Sequence, residues 1–114
     1  LPKLDLVILN RLAEKIIGTH NFLSFSKYRQ EQLNTYCDIF YSRWSFEDNM
    51  FIFRISANRF LHHMIRYLVG TMIAVNEEQM TESEFQDRLQ NPKKDVKIFK
   101  APAGGLILDK IEYV

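Results

Sequence analysis

The amino-acid sequence predicts a single α+β domain in which an antiparallel sheet carries helices packed on one of its faces. Three patterns support this fold class: an amphipathic helix near the N-terminal end, two segments of β-branched and aromatic residues separated by a turn, and a long apolar helix after them. The chain has 114 residues, of which 46% are hydrophobic, so residues 1–114 suffice for one core and are too few for two. We therefore expect one domain without an internal boundary.

The first helix and a hairpin have clear sequence signals. Apolar residues recur at helical spacing from Leu4 to Ile17, and Gly18 is placed to end the helix. Strand-type residues then fill Thr35 to Trp44 and Met50 to Ala57, with Glu47-Asp48-Asn49 as the turn between them. The second strand alternates strongly apolar and mixed positions, which predicts one face against the helices.

One helix is predicted from Ala57 to Met72, with two chemically opposed faces at about 100° per residue. Apolar residues gather on one side. The other side carries polar or small residues: Arg59, His63, Arg66 and Gly70. Because glycine costs about 1 kcal/mol relative to alanine in a helix interior, something is expected to approach the backbone closely at Gly70. An anionic partner would suit this side.

The last two predicted elements lie beyond this helix. Thr81, with Glu84 three residues later, predicts a capping box that opens a short helix through Leu89, and Asn91-Pro92 ends it. Residues 106–113 then form a third strand that could pair with the hairpin.

Composition excludes several classes of protein. A net charge of +1 does not by itself indicate nucleic-acid binding, and no apolar run has the length of a membrane span.

The single Cys37 excludes an internal disulfide and fits a reducing cytoplasm. Its simplest interpretation is a small buried hydrophobic side chain. His62 and His63 are adjacent, so they would point about 100° apart on a helix and no metal site is expected. No residue has the context of an activated nucleophile.

Basic residues are concentrated in one part of the chain. No acidic residue lies between Asp48 and Glu77, where the basic residues are Arg54, Arg59, His62, His63 and Arg66. A localised cationic surface and merely solvated charges both remain possible interpretations.

His20 could hydrogen-bond a loop backbone or a ligand. Most aromatic residues are assigned to the core, with Phe60 and Tyr28 as candidates for stacking on bases.

Three segments together resemble a known family. Asn58-Arg59-Phe60-Leu61-His62-His63-Met64-Ile65-Arg66 resembles the N-x-F-L-x-H-M-[VI]-R signature of the tRNA pseudouridine synthase A family. Residues 18–25 resemble that family's G-x-H-[DN]-F-x-x-F segment, and residues 101–108 its A-P-A-x-G-L-x-L segment. Because the three motifs occur in the same order across nearly the whole chain, the resemblance is specific.

The resemblance implies an isomerase that converts uridine to pseudouridine in the anticodon stem-loop of tRNA, at positions 38 to 40 in the family, without a cofactor. The family's nucleophilic aspartate lies in a G-R-T-D-x-G-V-H-A segment that is missing here. We therefore interpret the chain, which begins with Leu1, as an excised C-terminal half that is inactive alone. By the same resemblance, Arg66 pairs with that aspartate, which would lie in the N-terminal half.

The resemblance also implies tRNA and a second copy of the enzyme as partners. Arg59, Phe60 and His63 would border the uridine or its flanking phosphates. Lys27 and Arg29 could contact the RNA backbone, and His20 is a further candidate for substrate binding. Two alternatives remain: an RNA-binding and homodimerisation module without catalysis of its own, and an unrelated α+β domain whose arginines are simply solvated.

Overall fold

The computed structural model describes residues 4–27, 34–94 and 96–101, and the backbone of residues 106–112. The elements are α1 (Leu6–Lys15), β1 (Gly18–Asn21), a 3-10 helix (Leu23–Phe25), β2 (Tyr36–Glu47), β3 (Met50–Ala57), α2 (Met64–Asn76), α3 (Glu82–Gln90) and β4 (Leu106–Glu112). The predicted α+β class is confirmed.

The sheet has the order β1-β2-β3-β4, and its first three strands are antiparallel. The predicted last strand does pair with the hairpin, but it runs parallel to β3, with Leu106 opposite Phe51. Both α2 and α3 lie between these strands, and such a long crossover allows parallel pairing. Strand β1 was not predicted, because four residues are too few to establish a period.

A bulge in β2 changes which side chains face the core. The register moves from Ile39 opposite Ala57 to Tyr41 opposite Ser56, so Phe40 has no partner in the ladder. As a result the adjacent Phe40 and Tyr41 are both exposed, at 54% and 47%. Their exposure leaves two aromatic rings on the sheet surface away from the helices.

The helices pack on the sheet face that carries Trp44 and Phe53, whose ring centroids are 5.1 Å apart. The Trp44 indole N–H donates to Met72 Sδ of α2 at 3.4 Å. From α1, the Asn10 side chain accepts from the Trp44 backbone N–H at 2.7 Å and donates to its carbonyl at 3.0 Å. Asn10 thus continues the hydrogen bonding of β2 beyond the residues that pair with β1, which protects the open strand edge.

Local signals predicted the turn and the cap of the third helix well. Asp48 and Asn49 have φ of 51° and 63°, the left-handed pair that suits the twist of a two-residue hairpin. Thr81 and Glu84 form the predicted capping box, with bonds of 3.1 and 3.0 Å. Helix α1 is two residues shorter at each end than predicted.

The prediction of one helix from Ala57 to Met72 is wrong in its first half. Strand β3 continues to Ala57, residues 58–63 form a loop, and α2 begins only at Met64. Asn58 causes the difference, because its N–H donates to the Asp38 carbonyl at 3.1 Å and its Oδ1 accepts from the Asp38 N–H at 2.9 Å. These bonds keep the chain on β2 for one more residue.

The close approach predicted at Gly70 is confirmed, and the approaching group is the chain itself. Gly70 is buried, and a Cβ built there would overlap the carbonyl of Phe99 and lie 2.6 Å from the carbonyl carbon of Lys100. The segment 99–101 therefore crosses α2 directly over the glycine. Gly70 is not available to an external anion.

Candidate functional site

Arg66 lies in the first turn of α2 and its side chain is exposed. Two hydrogen bonds tie this turn to the preceding loop. The N–H of the buried Met64 donates to the Leu61 carbonyl at 3.1 Å, and the Met64 Sδ accepts from the Leu61 N–H at 3.5 Å. Within the part of the chain that the structure describes, the Arg66 side chain makes no hydrogen bond or ion pair. Its guanidinium is therefore open to a carboxylate or phosphate from outside these residues.

Four basic side chains, Arg66 among them, lie near His63. We call this group of five the α2 cluster: Lys27, His62, His63, Arg66 and Lys100. They come from three chain segments, and two contacts hold them together: the Lys27 N–H donates to the His62 carbonyl at 3.0 Å, and the crossing at Gly70 carries Lys100. The rings of His62 and His63 are 4.0 Å apart between centroids.

His63 shows how the cluster is charged. Partial burial is the main cause that lowers the pKa of its imidazole, and the positive charges of His62, Lys27, Arg66 and Lys100 lower it further. None of the charges that act on it is a carboxylate. His63 is also the N-cap residue of α2, in the left-handed conformation at φ 60°, and its ring stacks on Tyr67 at 5.5 Å and 18°. The cluster is thus a positive surface that fits an anion.

Arg59 does not share this surface. Its guanidinium donates to the Asn34 carbonyl and lies near the thiol of Cys37, which places it against β2. Burial raises the pKa of the buried Cys37, while Arg59 opposes that rise. The prediction that Arg59, His63 and Arg66 share one helix face is therefore wrong, because only Arg66 belongs to the helix.

The other predicted site residues are spread around the loop. Phe60 packs partly against the core. His20 lies in β1, where its Nε2 is 3.1 Å from the Ile17 carbonyl and its ring edge contacts Phe22. Lys27 is exposed, and Tyr28 and Arg29 lie outside the described residues.

Sequence reasoning missed two members of the α2 cluster. His62 was weighed as a metal ligand and counted among the concentrated basic residues, but neither His62 nor Lys100 was named as a site residue. Glycine at position 70 was the available signal, because it indicated a close approach to α2, but it did not show that the approaching group is a segment of this chain.

Taken together, these features define an α+β domain with a cluster of basic side chains at the start of one helix. Among the residues described, no helix has the length and apolar character needed to cross a membrane. No group of three or more His, Cys, Asp or Glu in the same residues is arranged for a metal ion.

Comparison with known proteins identifies the family. A family model described as tRNA pseudouridine synthase matches residues 12–114. A tRNA pseudouridine synthase A from Chlorobaculum tepidum is 40% identical over 111 residues, which is 97% of this chain and 45% of the relative. Relatives of the same name from Chlorobium chlorochromatii and Borrelia turicatae are each 33% identical, over 96% and 97% of the chain. The chain belongs to the tRNA pseudouridine synthase family, and it spans less than half the length of these relatives.

Proposed function

We propose that this chain is the C-terminal part of a tRNA pseudouridine synthase and that it supplies Arg66 to the active site. In this proposal the enzyme isomerises uridine to pseudouridine at positions 38 to 40 in the anticodon stem-loop. The observation that carries the proposal is the exposed Arg66, which has no carboxylate partner within the described residues. The family signature over residues 58–66 ends on this arginine.

The chemistry explains why an arginine is needed. The base must leave its sugar through the glycosidic nitrogen and rejoin it through carbon, and the family resemblance assigns the attack to an aspartate. That carboxylate must be ionised to act. A guanidinium within about 4 to 6 Å lowers an aspartate pKa by about 1 to 3 units, and a two-pronged hydrogen bond fixes its orientation. No cofactor enters this scheme.

The remaining substrate-binding residues are proposed with support that differs between them. His63 and Lys27 lie in the α2 cluster with Arg66, which favours contact with RNA phosphates. Phe60 and Arg59 lie in the loop before α2 and outside the α2 cluster, so their proposed position beside the uridine rests on the family resemblance. His20 and Arg29 keep their proposed substrate contacts from the family resemblance alone.

The test of the function uses the full-length protein encoded by the gene that contains this chain. Incubation with an unmodified tRNA transcript is expected to produce pseudouridine only at positions 38 to 40, mapped by carbodiimide labelling and primer extension. A transcript with cytidine at these positions is the control and should stay unmodified. The isolated 114-residue chain should produce none. Modification elsewhere, or none by the full-length protein, would contradict the proposal.

The proposal also includes a second copy of the enzyme, so that the enzyme is a homodimer. Because its substrate is tRNA, its proposed location is the cytoplasm. An open groove of about 650 Å³ lies between α1 and β2. Two of its apolar side chains are unusually exposed, Val7 at 71% and Phe46 at 50%. Apolar surface of this kind is typical of an interface.

Light scattering tests this interface in the full-length protein. The unaltered protein is expected to have the mass of a dimer, and Val7→Asp should shift it to a monomer, because a buried unpaired charge opposes association. Ile98→Asp is the matched control, since Ile98 is an exposed apolar residue away from the groove. A monomer at every concentration, or a dimer of the Val7 variant, would contradict homodimerisation through this surface.

A further inference from the structure

Uncompensated positive charge is concentrated around His63. The imidazole is partly buried and stacked on Tyr67, so water screens it less than it would a freely exposed ring. Four basic groups act on it, namely His62 from the loop, Lys27 from the segment after the 3-10 helix, Arg66 from α2 and Lys100 from the crossing segment. Like charges that are held together repel each other unless an anion lies among them.

The protein holds these groups in place by backbone contacts rather than by ion pairs. Lys27 is tied to the loop by its backbone N–H, and Lys100 follows Phe99 across the backbone of Gly70. Within the described ranges, neither lysine forms an ion pair with a carboxylate. The ammonium groups are therefore available to a ligand, while the backbone from which they extend is fixed.

We propose that Lys27, His63 and Lys100 bind a backbone phosphate of the RNA substrate, next to the uridine whose isomerisation Arg66 assists. This inference rests on the proposed function, because it takes RNA as the anion. It adds Lys100 to the substrate-binding residues and separates two tasks within the α2 cluster. Arg66 acts on the catalytic carboxylate, whereas Lys27, His63 and Lys100 hold the phosphate.

Phosphate binding at this site should be coupled to a proton. In the free protein, burial and the neighbouring cations lower the pKa of His63 below its ordinary value of 6.5. A bound phosphate adds an opposite charge and raises that pKa, so the complex holds more protons than the free protein. Affinity is then highest below both pKa values and falls as the pH rises between them, by at most about tenfold per pH unit for one proton.

The experiment measures the dissociation constant of the full-length protein for unmodified tRNA as a function of salt. Lys100→Gln is expected to weaken binding by about fivefold at 0.1 M salt and to reduce the slope of log affinity against log salt by about 1, because one phosphate contact is lost. Lys100→Arg should restore both. Lys15→Gln, at the end of α1 and outside the cluster, is the matched control and should change neither.

The same measurement between pH 5.5 and 8 tests His63. The unaltered protein should lose affinity as the pH rises, whereas His63→Gln should lose less affinity over the same range, since glutamine does not titrate and His62 is still present in the cluster. Thermal melting of each variant confirms that it is folded. An unchanged salt slope in Lys100→Gln, or an unchanged pH profile in His63→Gln, would overturn the phosphate site.

Failure of this inference is distinguishable from failure of the proposed function. If Arg66→Ala abolishes pseudouridine formation while the Lys100 and His63 variants bind tRNA normally, the phosphate site is wrong and the catalytic proposal stands. If Arg66→Ala leaves turnover unchanged while those variants lose affinity and salt dependence, the phosphate site stands and the role of Arg66 is wrong.

Discussion

Replacement of Arg66 by alanine in the full-length protein is expected to lower single-turnover pseudouridine formation by about 10²- to 10³-fold, the usual effect of removing one preorganised charged donor. The affinity for tRNA should change by less than about tenfold, because Arg66 is one of five basic groups in the α2 cluster. Arg66→Lys should recover only part of the rate, since an ammonium group keeps the charge and loses the two-pronged geometry.

The pH profile of the Arg66 variant provides a sharper test than the rate alone. The guanidinium lowers the pKa of the aspartate, so its removal raises that pKa and protonates the nucleophile over a wider acidic range. The acidic limb of the rate profile should therefore move to higher pH in Arg66→Ala. A purely structural role of Arg66 would leave the limb where it is.

Lys15→Ala is a suitable control for the Arg66 variants. Lys15 is a basic residue in the last turn of α1, and it lies outside both the α2 cluster and the groove between α1 and β2. Its replacement should leave the rate unchanged. Full turnover by Arg66→Ala would show that Arg66 does not act in the active site.

Gly70→Ala is expected to destabilise the full-length protein by about 2 kcal/mol. Alanine would gain about 1 kcal/mol in helix propensity, but its methyl group would overlap the backbone of Phe99 and Lys100. Overpacking costs about 1 to 3 kcal/mol, and the upper end applies here because the Cβ would lie 2.0 Å from a backbone carbonyl oxygen, which cannot move aside as a flexible side chain can. Urea denaturation measures the free energy of unfolding.

Ser83→Ala in α3 is the matched control, because Ser83 is an exposed helical residue where a better helix former meets no obstacle. It should be neutral or slightly stabilising. The Gly70 variant should also weaken tRNA binding with a reduced salt slope, because the crossing segment that carries Lys100 is displaced. An increase in stability in Gly70→Ala would show that the segment does not lie over the helix.

Local sequence signals predicted the elements whose causes are local. The spacing of apolar residues located α1, the pair Thr81 and Glu84 located the start of α3, and the turn after Glu47 located the hairpin. Each of these depends on residues a few positions apart, which a single sequence displays directly. The family motifs located Arg66 in the same way, because it is the last residue of one of them.

Longer-range contacts decided the features that were predicted wrongly or missed. Residues 57–63 have a helical pattern, but the two bonds between Asn58 and Asp38 extend the chain along β2 instead. Strand β1 exists because residues 18–21 lie beside β2, and β4 is parallel because two helices separate it from β3. None of these partners is a sequence neighbour.

The sequence by itself determined the α+β class, the family and the arginine proposed for catalysis, because periodicity, caps and motifs are properties of neighbouring residues. Tertiary structure alone decided that Lys27, His63 and Lys100 share a surface with Arg66 while Arg59 does not. The physical reason is that this surface is assembled from three segments by the loop before α2 and by the crossing at Gly70, and such contacts depend on the path of the whole chain.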